Sequence, residues 1–226
     1  MGLWNFQDNL NDSSGNGFNL SGTPFAYTAQ DNFFGKGVVC RGGLDYFTRS
    51  SRDALLAIID GITIEGIILI NTYDSRIGSP ICSLGKSVDE TEAGNICYYV
   101  YLKDNVLNFQ WEYGAGINAD TVNSTACPIN MPFYFTITRD NNSVASVNFY
   151  INAQKTGFGS DNKATGGTDS QCKLLVGSNI NASHTIPMGS IIYSLKIIPS
   201  ELTHNQIKEE YNKTLGGRAS FWPYVR

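Results

Sequence analysis

The sequence predicts an all-β fold closed by one short C-terminal helix. Three observations carry that expectation. Apolar residues alternate with period two through most of the chain. Turn-forming residues interrupt them about every ten positions, and helical periodicity enters only after Pro199.

The stretch 61–71, "GITIEGIILIN", is the first clear strand. Ile62, Ile64, Ile68 and Ile70 fall on one face, and Thr63, Glu65, Ile67, Leu69 and Asn71 on the other. The second face turns apolar only after Glu65, so cover on both sides is expected at one end. Residues 96–102 alternate Ile96, Tyr98, Val100 and Leu102 against Cys97, Tyr99 and Tyr101. A tight turn at Lys103-Asp104-Asn105 leads into "VLNFQWEY", where Leu107, Phe109, Trp111 and Tyr113 share a face, a hairpin pattern. A second hairpin joins 133–139 to 144–152 through 140–143, with Phe133, Phe135, Ile137, Val147, Phe149 and Ile151 inward. The Gly/Ser-rich stretch 157–170 reads as loop, 173–177 and 190–198 as late strands, and 178–188 as loop between them. In "LTHNQIKEEYNKTLGG", Thr203 and Gln206 form a capping box, Ile207 and Tyr211 share a helical face, and Gly216-Gly217 ends a helix over about 203–215.

With 226 residues, 42% hydrophobic, 12% aromatic and 16% charged, the chain suits one domain over 1–226, with 216–226 as an aromatic tail. A net charge of -4 and no basic cluster argue against nucleic-acid partners. The N-terminus lacks a basic segment and an apolar core, so it does not read as a signal peptide. The longest apolar run, 62–70, is broken by Glu65 and Gly66, so no membrane insertion is expected. The cysteines, Cys40, Cys82, Cys97, Cys127 and Cys172, are odd in number and lack C-x-x-C spacing. Unpaired thiols in a reducing compartment are expected, with no zinc site.

Four segments in order resemble laminin G-like domains of the concanavalin A-like lectin/glucanase superfamily. "LWNFQDNLNDSSGNGFNLSG" is similar to the family's opening, an aromatic strand before an Asp-Ser-Ser-Gly-Asn-Gly turn at Asp12 to Gly17. "DALLAIIDGITIEGIIL" resembles the segment around its central strand, with Ile67 or Ile68 near a position where Trp is common. "PFYFTITRDNNSVASVNFYINAQ" resembles its characteristic hairpin, with Asn152-Ala153 where Asp-Gly is usual. "LLVGSN", followed by "MGSIIYSLKIIPSELTHNQIKEEYN", resembles its closing signature. The resemblance implies a two-sheet antiparallel jelly-roll sandwich, concanavalin A-like, and says nothing about ligand.

Glycoside hydrolases of this fold carry paired carboxylates in phase on one strand, about 5–5.5 Å apart for retention of configuration. Asp60 and Glu65 differ by an odd number and point oppositely on a regular strand, while Glu90 and Glu92 sit in a polar, Gly-flanked stretch. Glu65 alone reads as a structural or rim residue. His184 and His204 are the only histidines, and neither has a context that orients it for a triad. No enzyme activity is expected. Calcium is open, because laminin G-like domains often bind it at a loop edge; Asp74, Asp140 and Asp161 are the candidate ligands. For a sugar, Trp111, Tyr113 and Asn118 form a candidate platform, although Trp111 shares a face with Leu107 and Phe109, which favours core packing. Phe221, Trp222 and Tyr224 would be a partner surface if exposed, or fold back on the sandwich.

Two functional readings remain open. One is a non-catalytic structural or adhesive virion surface protein, a capsid-decorating, fibre or tail component. It would be made in the host cytoplasm, bind other virion proteins or cell-surface glycans, and form a homo-oligomer if the tail docks on a neighbour. The other is an extracellular carbohydrate-binding module of a secreted protein or glycanase.

Overall fold

A computed structural model of the chain describes residues 1–22, 26–27, 34–42, 46–49, 61–72, 78–85, 96–113, 118–140, 145–161, 173–179 and 185–214. In chain order its strands are β1 (Gly2–Trp4), β2 (Ala26–Tyr27), β3 (Val38–Val39), β4 (Phe47–Arg49), β5 (Ile62–Leu69), β6 (Ser79–Gly85) and β7 (Ile96–Lys103). They continue with β8 (Val106–Tyr113), β9 (Asn118–Ala126), β10 (Phe133–Arg139), β11 (Ala145–Ile151), β12 (Gln154–Asp161), β13 (Lys173–Val176) and β14 (Ile191–Ile198), and the helix α1 is His204–Thr214. One sheet runs β12-β11-β10-β5-β14-β3-β2, and β1 shares with β3 the edge of β14 that β5 leaves open. The other runs β4-β13-β6-β7-β8-β9, and all pairings are antiparallel. The chain is the expected all-β, two-sheet sandwich with a short C-terminal helix.

The alternation dictates what fills the space between the sheets. Ile62, Ile64 and Ile68 from β5, Phe133 and Phe135 from β10, and Leu107, Phe109 and Trp111 from β8 have no accessible surface. Two hairpins turn on residue pairs with positive φ. Asp104 and Asn105 (φ 51° and 61°) join β7 to β8, and Asn152 and Ala153 (φ 50° and 59°) join β11 to β12. Both match the right-handed twist of the strands they connect. Alanine is disfavoured there by its Cβ, yet the Ala153 side chain packs with Tyr150 against Ile207 of α1, which accounts for a methyl at that place.

The short strands β2, β3 and β4 have no counterpart in the sequence reading, and three longer strands also depart from it. The first part of the stretch 157–170 is not loop, because β12 continues to Asp161, paired residue for residue with β11. Its glycines have little strand preference, and pairing with a well-formed neighbour overrides that. β6 and β9 lack a clean apolar alternation, β9 being a polar edge strand, and they are likewise fixed by their partners.

The helix forms where the capping box places it. Thr203 N–H donates to Gln206 Oε1 at 2.8 Å, and Gln206 N–H to Thr203 Oγ1 at 3.4 Å. Ile207 is fully buried, and the Tyr211 ring lies 5.4 Å from that of Tyr134. α1 therefore covers the outer face of the first sheet. Thr63, on that face, donates to the Ser200 carbonyl and accepts from Leu202 N–H, at 2.8 and 2.9 Å. Every residue of β5 but Leu69 is buried, so the strand is covered on both sides along its length rather than at one end.

At the other end of the chain, Asp12 organises the opening turn. Its carboxylate accepts from Leu3 N–H (2.9 Å), Ser14 N–H (2.9 Å), Ser14 Oγ (2.7 Å) and Phe18 N–H (3.1 Å). Trp4 Nε1–H caps the arrangement by donating to the Phe18 carbonyl at 2.8 Å. Partial burial works against ionisation of Asp12, but the hydrogen bonds outweigh it and hold its pKa below the ordinary value. A depressed folded-state pKa means stability that is present above the ordinary aspartate range and lost as pH falls through the folded value. Asp12→Ala is expected to cost about 2 kcal/mol at pH 7, from loss of charge-assisted bonds discounted for partial solvent access. In urea titrations that loss should shrink towards pH 3; a loss unchanged with pH would show that the charge is not what holds the turn.

Cys40, Cys82 and Cys127 are buried thiols outside any disulfide, and burial pushes the Cys127 thiol up to about 11. The Cys97 side chain and Cys172 lie outside the described residues. Among the described residues no helix is long and apolar enough to cross a membrane.

Candidate functional site

Glu65 is the point at which two opposite charges meet under the helix. On the outer face of β5 it stands directly across from Lys196 of β14 and Thr136 of β10. Cross-strand neighbours of opposite charge attract, and Lys196 Nζ lies 3.1 Å from Glu65 Oε1. Tyr134, one diagonal step along β10, donates its hydroxyl to Glu65 Oε2 at 2.6 Å. Glu210 descends from α1 to take Lys196 Nζ at 2.5 Å, and Lys213 one turn on supports it at 3.0 Å. Glu65 and Tyr134 are 2% and 3% exposed, so both polar groups are desolvated and bonded to one another.

The electrostatics follow from burial. Desolvation raises the Glu65 pKa, and the Tyr134 hydrogen bond and Lys196 charge reverse only part of that rise. Burial likewise raises the Tyr134 phenol, and the neighbouring Glu65 charge adds to it. For Lys196, burial works downwards, but the two carboxylates outweigh it and the pKa rises. Burial opposes ionisation of Glu210 too, and the two lysines more than compensate, leaving its pKa lowered.

A cleft of about 210 Å³ opens beside this group. Its floor is Glu65, Gly66 and Tyr134; Leu3, Asn5, Ser194 and Lys196 form one wall, and Glu210 and Thr214 of the helix the other. A Cβ at Gly66 would stand 2.5 Å from the Ser194 carbonyl oxygen and 3.0 Å from the Phe135 ring, so only glycine allows β5 and β14 to close there.

Two carboxylates with pKa values pushed apart are the chemical requirement for glycoside hydrolysis. Here the Lys196 ammonium stands between them, bonded to both, in the space a glycosidic oxygen and its anomeric carbon would need. The arrangement can hold a helix and hydrogen-bond a ligand at its margin; it cannot flank a scissile bond.

The residues singled out from the sequence lie elsewhere. Trp111 is fully buried, with the Phe109 ring 5.6 Å away and the Arg139 guanidinium 4.8 Å above its own ring, so it packs the core and is no surface platform. The backbones of Tyr113 and Asn118 pair at the end of the β8–β9 ladder, and their side chains lie outside the described residues. Asp140 directs its carboxylate oxygens to Ser146, Oδ1 to the backbone N–H and Oδ2 to Oγ, both at 2.8 Å, closing the β10–β11 turn. Asp161 is brought to the same end of the sheet, paired with Ala145, while Asp74 lies outside the described residues. Among the described residues no three His, Cys, Asp or Glu groups come together. Phe221, Trp222, Tyr224 and His184 also lie outside them. His204 opens α1 with its ring 5.5 Å from Tyr150.

Tyr134, Lys196 and Glu210 were not visible as a site in the sequence. The usable signal was a symmetry: "GITIEGIIL" and "SIIYSLKII" each carry one charge, of opposite sign, in an otherwise uncharged, largely apolar strand.

No family model and no curated protein matches the sequence. Solved structures do. A chain of botulinum neurotoxin type C, a toxin whose cell entry is dependent upon interaction with two ganglioside molecules, superposes with a TM-score of 0.67 and 18% identity over 95% of this chain and 50% of that one. The binding domain of botulinum neurotoxin DC, in complex with rat synaptotagmin II, gives 0.67 and 18% over 95% and 51%. The binding domain of Paraclostridial Mosquitocidal Protein 1 gives 0.67 and 16% over 94% and 51%. The chain spans about half the length of the structures it matches. At such identities the likeness is one of fold.

Proposed function

We propose that the chain is a non-catalytic recognition module, a laminin G-like jelly roll that binds glycans or receptors at a cell surface. The observation that carries it is the fold: nearly the whole chain superposes on binding domains of toxins, whose partners include gangliosides and a synaptotagmin. The Lys196 ammonium between Glu65 and Glu210 supports binding without hydrolysis. The test is a glycan array, including gangliosides and sialylated chains, run beside a hydrolysis assay on the glycans retained. Retention without turnover is the expected result. Turnover that disappears in Glu65→Gln would overturn the reading, as would an array with no retained glycan and no binding to cells.

A second reading places the module on a virion, as a capsid-decorating, fibre or tail component. The buried reduced thiols at Cys40, Cys82 and Cys127 favour it, because such a chain is compatible with synthesis in a reducing cytoplasm. The aromatic tail, with Phe221, Trp222 and Tyr224, is then the anchor to other virion proteins or to a second copy. Deleting residues 219–226 is expected to abolish incorporation into particles or to lower the solution mass. Unchanged mass and incorporation would remove the tail from that role.

A further inference from the structure

We propose that the cleft beneath α1 is a binding site for one neutral pyranose ring, formed by Glu65, Lys196, Ser194, Asn5 and Thr214. The inference rests on the recognition-module reading and names the place and chemistry of its ligand.

Size comes first. At about 210 Å³ the cleft is smaller than the roughly 300–1,000 Å³ typical of drug-sized sites. That is room for one small polar ring rather than an extended ligand.

Polarity selects the ligand class. A carboxylate offers about four acceptor positions and an ammonium three donors. Glu65 uses one position on Tyr134 and one on Lys196, and Lys196 uses one hydrogen on each of two carboxylates. Around them, Asn5, Ser194 and Thr214 line the cleft, and their side chains make no hydrogen bond among the described residues. A hydroxyl both donates and accepts, and a ring with several hydroxyls can use a carboxylate, an amide and two alcohols together. Leu3 adds an apolar stretch of wall for the C–H face of the ring.

Charge excludes the alternatives. Glu65 and Glu210 are balanced by Lys196 and Lys213. Neither an anion nor a cation gains a net opposite charge, and a neutral ligand needs none.

The backbone is shaped for the same purpose. The pairing of β14 with β5 slips between Ile192 and Ser194. This bulge turns two successive side chains outward: Tyr193 packs with Ile67 and Tyr134 under Phe34, and Ser194 faces the cleft. A regular strand would send Ser194 inward. Bulges that re-aim one side chain recur beside functional sites.

The test is saturation-transfer NMR on the full chain with the methyl glycosides of glucose, galactose, mannose and N-acetylglucosamine, with sialyllactose as the anionic comparison. At least one neutral glycoside is expected to show transfer. Ser194→Leu and Asn5→Leu, each filling the cleft from its wall, should weaken that binding at least tenfold while leaving the thermal midpoint within a few degrees. If the two variants bind as tightly as the parent, the cleft is not the site and the recognition reading stands. If only sialyllactose binds, or only larger glycans bind on an array, the assignment to a neutral single ring is wrong. If the parent binds no glycan in either format, both the cleft and the glycan part of the functional reading fall.

Discussion

Trp111→Ala should lower stability by about 4 kcal/mol, in the range for truncating a buried Trp. The ring has no accessible surface, packs on Phe109 and lies under the Arg139 guanidinium at 4.8 Å. Removing it leaves a cavity between the sheets. It also takes the aromatic face from a buried cation, an attraction of about 2 kcal/mol when desolvated. Trp111→Phe should cost less, about 1–2 kcal/mol, because a ring remains and Trp111 Nε1 has no hydrogen-bond partner to lose. Urea unfolding of the two variants checks the order, and the Phe variant remains measurable if the Ala variant fails to fold. A Trp111→Ala chain with unchanged stability but lost glycan binding would restore the ring as a platform.

The fate of Trp111 shows what was legible in the sequence. The period-two alternation of 106–113 placed Leu107, Phe109 and Trp111 on one face, and that face is the core. The capping box at Thr203 and Gln206 located the helix to within a residue at each end, because both signals are local. β12 escaped because its glycines carry no strand preference of their own, and its register with β11 is a property of the pair. The cleft escaped for a related reason. Glu65 was conspicuous, but what it meets comes from residues 69, 131 and 145 positions further along, and only the sheet order brings them together. A carboxylate read alone on a strand leaves a structural and a rim role equally open. With Lys196 across from it and Glu210 above, it is a buried ion-pair network that fixes a helix.

That network sets the other large effect. Lys196→Met should cost about 3–5 kcal/mol at neutral pH, since removing one partner leaves buried charge uncompensated. Glu65 would keep only the Tyr134 hydroxyl, with Glu210 nearby as a like charge. The pH dependence fixes the cause. In the parent chain the Lys196 pKa is raised, so its contribution is complete below the ordinary 10.5 and lost as pH rises through the folded value. The Glu210 pKa is lowered, so its contribution is present above the ordinary 4.5 and lost as pH falls through the folded value. Glu65 runs the other way: its pKa is raised, so its charge costs stability as pH rises through its folded value, and more so without Lys196. The difference between parent and variant should therefore be widest above the raised folded value of Glu65 and below the ordinary lysine value of 10.5, and should narrow as pH falls below 4.5, where Glu65 is protonated with or without its lysine. Adding Glu65→Leu to Lys196→Met removes the stranded charge and should recover most of the loss, because an apolar pair can replace a buried ion pair at little cost. Urea midpoints across that pH range, for the parent and both variants, decide it. A loss under about 1 kcal/mol that does not vary with pH would mean that packing, rather than this charge network, holds α1 over the sheet.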